Sequence, residues 1–319
     1  MARGRPRRRG LVTTWRLLGA LALIAFQGLG VAMAADEGVP DAPVLLASPL
    51  DRSNRSTGGD DAVPAGARSA QSEESSGPAL LRRRAVAEPA PGRALVAVVI
   101  DDVGVDRRRS VRAALALPGP MTMAIMPYAR DVAPLAVAAR AHGHELIAHL
   151  PMEALDPDED PGPYALTHEL SPEETLRRLD WHLGRFEGYV GASNHMGSRF
   201  TEDAERMGVV LGELKARGLM FLDSRTNGHS VAERVALSLG LPFAERDVFL
   251  DNERSADGVR ARLSELEAVA RRRGYAVGIG HPHDATIDAL AEWAKGLEAR
   301  GFILVPISAI SRLRGNHDS

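Results

Sequence analysis

The stretch from Ala94 to Gly104, ALVAVVIDDVG, constrains this chain more than any other. An unbroken run of small and β-branched apolar residues reads as a strand buried on both faces, as in a parallel sheet. The run stops at two adjacent carboxylates, Asp101 and Asp102, with Gly104 just beyond. Parallel α/β folds place their chemistry at the C-terminal ends of strands. Neighbouring acids repel each other unless a cation or hydrogen bonds keep them ionised. A metal or acid–base site at the end of this first strand is therefore expected. The plainer alternative has Asp101 ending the strand and Asp102 capping the next helix.

Downstream, apolar runs alternate with helical patterns, the mark of repeated β-α units. The predicted strands are 95–100, 121–126, 145–149, 189–193, 219–223, 243–247, 276–280 and 302–307. Helices are expected over 134–142, from Ser171-Pro172-Glu173-Glu174, from Thr201-Glu202-Asp203, and over 260–273 with Gly274 closing the last. Seven or eight such units in a little over 200 residues predict a single distorted (β/α) barrel of about seven units, an α/β fold, with an open doubly wound sheet as the alternative. No Gly-x-Gly-x-x-Gly or phosphate loop follows the first strand, which argues against nucleotide binding.

Five predicted strands end in groups able to carry chemistry. They are Asp101-Asp102, His149-Leu150-Pro151-Met152-Glu153, Asn194-His195-Met196-Gly197-Ser198-Arg199, Asp223-Ser224-Arg225-Thr226 and His281-Pro282-His283-Asp284. In a barrel these termini converge on one mouth. Two imidazoles and one carboxylate with open positions suit a hydrolytic zinc or a non-haem iron site, and Asp102, His149 and His195 are the expected ligands. Asp101 is the expected general base and His281 the proton donor, with Asp223 or Asp284 fixing the His281 tautomer. Among the other histidines, His142 and His144 fall at the opposite mouth. His168, His182 and His317 are expected in solvated settings, and His229 is a candidate for the cleft rim. The sequence has no Gly-x-Ser-x-Gly elbow for a serine nucleophile.

The chain has 319 residues, no cysteine and a net charge of -3, which excludes disulfides and thiol chemistry and gives no bulk attraction to nucleic acid. Residues 1–34, with arginines ahead of an apolar stretch and Ala32-Met33-Ala34 before Ala35, read as a signal peptide or an uncleaved inner-membrane anchor. That expectation makes the protein periplasmic or secreted, with membrane contact only through this segment. Residues 35–91, rich in Ala, Pro, Ser, Gly and Arg, read as a disordered linker. The folded domain is expected over 92–314, with 315–319 as a tail.

In combination, Ile100-Asp101-Asp102, His149-Leu150-Pro151-Met152-Glu153, Asn194-His195-Met196-Gly197-Ser198, Phe221-Leu222-Asp223-Ser224-Arg225-Thr226 and Gly280-His281-Pro282-His283 resemble the divergent polysaccharide deacetylase family, a YibQ-like branch of the NodB-type carbohydrate esterases. The resemblance covers about Ala94 to Arg312. It implies a NodB-like distorted barrel, a divalent metal (zinc first), and removal of acyl groups from amino sugars of an envelope or extracellular glycan. It also implies Asp101 as base, Asp102 and His149 as ligands, and His281 as acid. Typical members carry a second histidine where this chain has Glu153. His195 is then the third ligand, with Glu153 the alternative. The usual Arg-Pro-Pro-Tyr segment is replaced by residues 194–199, leaving Arg199 or Arg225 to orient the base. Two other functions remain open: a catalytically inactive glycan-binding or regulatory module that keeps the metal pocket, and hydrolysis of a small amide or peptidoglycan fragment.

Overall fold

A computed structural model describes residues 92–317. The expected leader and linker, residues 1–91, lie outside the described residues, as do 318–319 of the expected tail. Among the described residues, nine strands and eight helices follow in this order: β1 (Ala94–Val103), α1 (Arg107–Ala116), β2 (Thr122–Ile125), α2 (Val132–Ala141), β3 (Glu145–Met152), α3 (Pro172–Leu183), β4 (Gly191–Met196), α4 (Ala204–Ala216), β5 (Met220–Asp223), α5 (Ala232–Leu239), β6 (Phe243–Glu245), β7 (Val248–Phe249), α6 (Ala256–Arg273), β8 (Tyr275–Gly280), α7 (Asp284–Ala294), β9 (Phe302–Leu304) and α8 (Ile307–His317). Among the described residues, no helix is long and apolar enough to cross a membrane.

Every ladder is parallel, in the order β6-β5-β4-β3-β2-β1-β8-β7, with β9 also pairing β1. The two outermost strands in that order, β6 and β7, are joined in sequence by only Arg246 and Asp247. Two linking residues span roughly 10 Å, so the sheet must curl until its edges nearly meet. Arg246 N–H donates to the Asp223 carbonyl at 3.0 Å on one side of this seam, and Asp247 N–H to the Val277 carbonyl at 2.9 Å on the other. The sequence predicts one strand over 243–247. It is two short ones, because the chain crosses the seam at its midpoint.

Side chains alternate between the faces. Val96, Val98 and Ile100 of β1 join the larger core beneath the helices. Leu95, Ala97 and Val99 join a second core on the concave face with Ala124, Ile147, Leu222, Ala244, Val277 and Ile279. The small residues there leave room for Ile307 and Ile310 of α8, which belong to the same cluster. Ile307 N–H donates to Thr122 Oγ1 and Ser308 N–H to Glu145 Oε1, both at strand starts, so α8 closes the end of the curled sheet opposite the strand C-termini.

The helix starts follow from capping. Ser171 Oγ accepts from Glu174 N–H at 3.2 Å with Pro172 in the first turn, as the sequence predicts. The predicted start at 201–203 resolves into a 3₁₀ turn, Phe200–Glu202, with Asp203 capping α4 through two main-chain N–H groups. The helix expected from residue 260 begins at Ala256, where Ser255 caps it.

Candidate metal centre

Alternation along the strands decides what reaches the concave mouth. Asp101 continues the parity of Leu95, Ala97 and Val99. His149 follows Ile147, and His281 follows Val277 and Ile279. Asp102 should then face outward. It does not, because the β1 ladder is irregular between Ile100 and Val103 and Asp102 adopts a left-handed backbone with φ of 57°. Aspartate tolerates that conformation better than most residues. Both acids are thereby turned into one site.

The donors converge. His195 Nδ1 lies 2.9 Å and His149 Nε2 3.4 Å from Asp102 Oδ1. Ligand atoms of Asp102, His149 and His195 all fall within 4.8 Å of one another. The expected trio is thus one cluster. His149 is 1% exposed, and its Nδ1 is fixed by Ser193 Oγ at 2.8 Å, which leaves Nε2 aimed at the carboxylates. Pinning the far nitrogen is what a metal-ligating histidine requires.

The fit to a cation rests on two orphaned atoms. Asp101 Oδ1 and Asp102 Oδ1 are buried without a hydrogen-bond partner among the described residues, although nitrogens crowd the latter. Buried carboxylate oxygens left this way are costly, and a divalent ion held by Asp102, His149 and His195 would remove that deficit at Asp102. Burial opposes ionisation of Asp102, but the two imidazoles hold its carboxyl well below the ordinary range. Two imidazoles and a carboxylate are a donor set suited to zinc.

Asp101 and His281 flank the cluster. Asp101 Oδ2 lies 3.6 Å from His149 Nε2 and accepts from Ser224 Oγ at 3.4 Å. Burial pushes its carboxyl up, against the pull of His149 and His281. His281 Nε2 lies 3.8 Å from Asp102 Oδ2. Burial disfavours its charge, but Asp251, with Asp101 and Asp102 behind it, outweighs that and pushes the imidazole up to about 9. It is therefore protonated at neutral pH.

The expected partners of His281 need correcting. Neither Asp223 nor Asp284 holds its tautomer. Asp251, just past β7, accepts from His281 N–H at 2.6 Å, faces Nδ1 at 3.0 Å and accepts from Thr286 Oγ1 at 2.9 Å. Asp223 sits one residue past Leu222 and so points away from the concave face, accepting from Arg225 N–H and Ser230 Oγ. Asp284, the first residue of α7, is drawn outward by Arg108, Arg109 and Arg112 of α1.

Neither candidate arginine orients Asp101. Arg199 pairs with Glu153 and His168, and Arg225 with Glu245. Beside Arg225 the cleft wall carries a second arginine, Arg246, unforeseen from the sequence. Its Nε and Nη2 donate to the Ser224 and Arg225 carbonyls at 2.7 Å each. Glu153 is not in the donor cluster, because His168 N–H, His168 Nδ1 and Arg199 engage its carboxylate. Asn194 lines the cleft, but its amide is spent on the Met196 carbonyl and on Ser224 N–H. His283 stacks on His281 with centroids 5.8 Å apart. His182, expected in solvent, is fully buried, facing the Tyr164 carbonyl at 3.0 Å, and His229 is not among the lining residues of the cleft.

Asp101, His149, His195, Arg246 and His281 line a cleft of about 400 Å³ at the strand C-termini, with Ser198, Thr226, Phe249 and Asn252 on its walls. A curled parallel sheet with a histidine–carboxylate cluster at this mouth defines an α/β fold carrying a candidate metal site. Residues 98–311 match the model of the divergent polysaccharide deacetylases, and the chain belongs to that family. The uncharacterized protein YibQ of Escherichia coli (strain K12) is 34% identical over 202 residues, 63% of this chain and 63% of its own, so the match spans just under two thirds of that relative. An uncharacterized protein of Haemophilus influenzae is 32% identical over 204 residues, 63% of this chain and 71% of its own. The crystal structure of the uncharacterized protein ATU2773 from Agrobacterium tumefaciens C58 superposes with a TM-score of 0.69 at 27% identity, covering 72% of this chain and 94% of that one.

Proposed function

We propose that this protein is a metal-dependent hydrolase that removes acyl groups from the amino sugars of an acetylated envelope glycan. One observation carries the reading: in a chain of the deacetylase family, Asp102, His149 and His195 share one donor cluster, with a buried carboxyl 3.6 Å from His149 on one side and a protonated histidine 3.8 Å from Asp102 on the other. Asp102, His149 and His195 would hold the ion, zinc by the chemistry of the donors. When bound, it supplies polarisation of the acyl carbonyl and lowers the pKa of water.

The rest of the chemistry falls to the chain's own groups. Asp101, raised by burial, takes a proton from the attacking water at a carboxylate oxygen. His281, charged and steered by Asp251, donates its Nε2 proton to the departing amine. Ser193 and Ser224 keep His149 and Asp101 in place. The export-type N-terminal sequence makes the cell envelope the place where such a substrate is met.

The test is Asp101→Asn. Acyl release from N-acetylated amino-sugar oligomers should fall by about 10²- to 10⁴-fold, while elemental analysis finds the metal retained. If the metal-loaded wild type releases no acyl group from any of these oligomers, the hydrolase reading fails and a metal-holding binding module takes its place.

A further inference from the structure

Arg246 stands apart from the other arginines at this cleft. Arg225 and Arg199 are each neutralised by a carboxylate, Glu245 and Glu153. Arg246 has no carboxylate within 4 Å among the described residues. Its Nε and Nη2 are spent on two main-chain carbonyls of the Ser224–Arg225 turn. Its guanidinium lies over the Phe249 ring, 5.2 Å from the centroid. Its backbone is fixed in the seam by the hydrogen bond to Asp223. The side chain is therefore held by two carbonyls and a ring, Arg246 lines the cleft, and Nη1 makes no hydrogen bond among the described residues.

Half-burial and the neighbouring Arg225 work against the charge, while Asp101, Asp223 and Asp247 favour it only through space. Arginine does not shed its proton. A clamped cation with its strongest type of partner missing is a receptor for an anion, and its planar edge matches a carboxylate. Asp101 and Glu159, which line the same cleft, repel an anion placed beside them, so the site favours a carboxylate on Arg246 itself.

Resting on the glycan reading above, we propose that Arg246 recognises a carboxylate carried by the substrate, making the preferred ligand an acidic N-acylated amino sugar rather than a neutral one. The carboxylate comes from the sugar and not from the released acyl product.

Binding tests this without turnover. The full chain is titrated calorimetrically with N-acetylmuramic acid, with its methyl ester, and with sodium acetate. Wild type should bind the acid at least about tenfold more tightly than the ester, and acetate should not compete at equimolar concentration. Arg246→Gln should reduce the acid-to-ester ratio to about one, and Arg246→Lys should restore part of it. Equal wild-type affinities for acid and ester would overturn the assignment even if the glutamine variant failed to fold. So would an undiminished ratio in Arg246→Gln, or acetate displacing the acid one for one. A clear acid preference in a protein that releases no acyl group would sink the hydrolase reading and leave this one standing.

Discussion

Asp102 shows how much one backbone angle decides. With an ordinary strand conformation, the second acid of the pair would enter the layer beneath the helices, and the donor cluster would lose its carboxylate. The left-handed turn costs about 1 kcal/mol, and the resulting position is what lets Asp102 meet both imidazoles. His182 illustrates the opposite case, a titratable group kept neutral. Burial, helped by Arg178 and Arg185, lowers its pKa to about 4, against the hydrogen bond to Tyr164. The folded value lies below the unfolded one of about 6.5, so the unfolded chain binds more protons between these values. Stability from this group is complete above about pH 6.5 and is lost as pH falls towards 4, by up to about 3 kcal/mol. Melting curves from pH 7 to pH 4.5 should show a steeper fall for wild type than for His182→Gln. Parallel curves would remove His182 as the cause.

Among the elements, the long connection from β3 to α3 is held to the site by Glu153. Its carboxylate takes His168 N–H at 2.6 Å and His168 Nδ1 at 2.7 Å, while Arg199 and Phe200 N–H donate to its carbonyl at 3.1 and 3.2 Å. Glu153→Gln should loosen this connection by about 1–3 kcal/mol, read as faster hydrogen exchange over residues 155–170 with the β1 amides unchanged. Uniform acceleration throughout would mean global destabilisation instead. At this scale the sequence is legible where period and length are generous. The apolar runs of β1, β3 and β8 announce both the strands and the inward parity of Asp101, His149 and His281. It fails where a strand is only two residues long, as in β7. There Phe249-Leu250-Asp251 repeats the Phe221-Leu222-Asp223 string, a signal that pointed to Asp251. Asp223 does not serve His281 because Leu222 takes the concave face and the next residue along β5 turns to the other side. Arg246 was hidden for a different reason: only the curl of the sheet brings the β6–β7 link beside Asp101.

For the molecule as a whole, the cluster ties three strand ends to one point, so occupancy should be felt as global stability. A ligand that binds only the folded state at 100 times its dissociation constant stabilises by about 2.7 kcal/mol. Adding zinc to chelator-treated protein should raise Tm, and His195→Ala should abolish the rise while keeping the fold. An equal rise in that variant would place the ion elsewhere. The alternation of concave and convex side chains carries a consequence for how such a chain can change length. Deleting one residue within 95–99 exchanges the two faces of β1, sending the first acid among the helices and a valine into the mouth. Deleting two keeps every later side chain on its own side. Trimming or extending β1 in even steps therefore keeps the first acid at the mouth, and an odd step removes it.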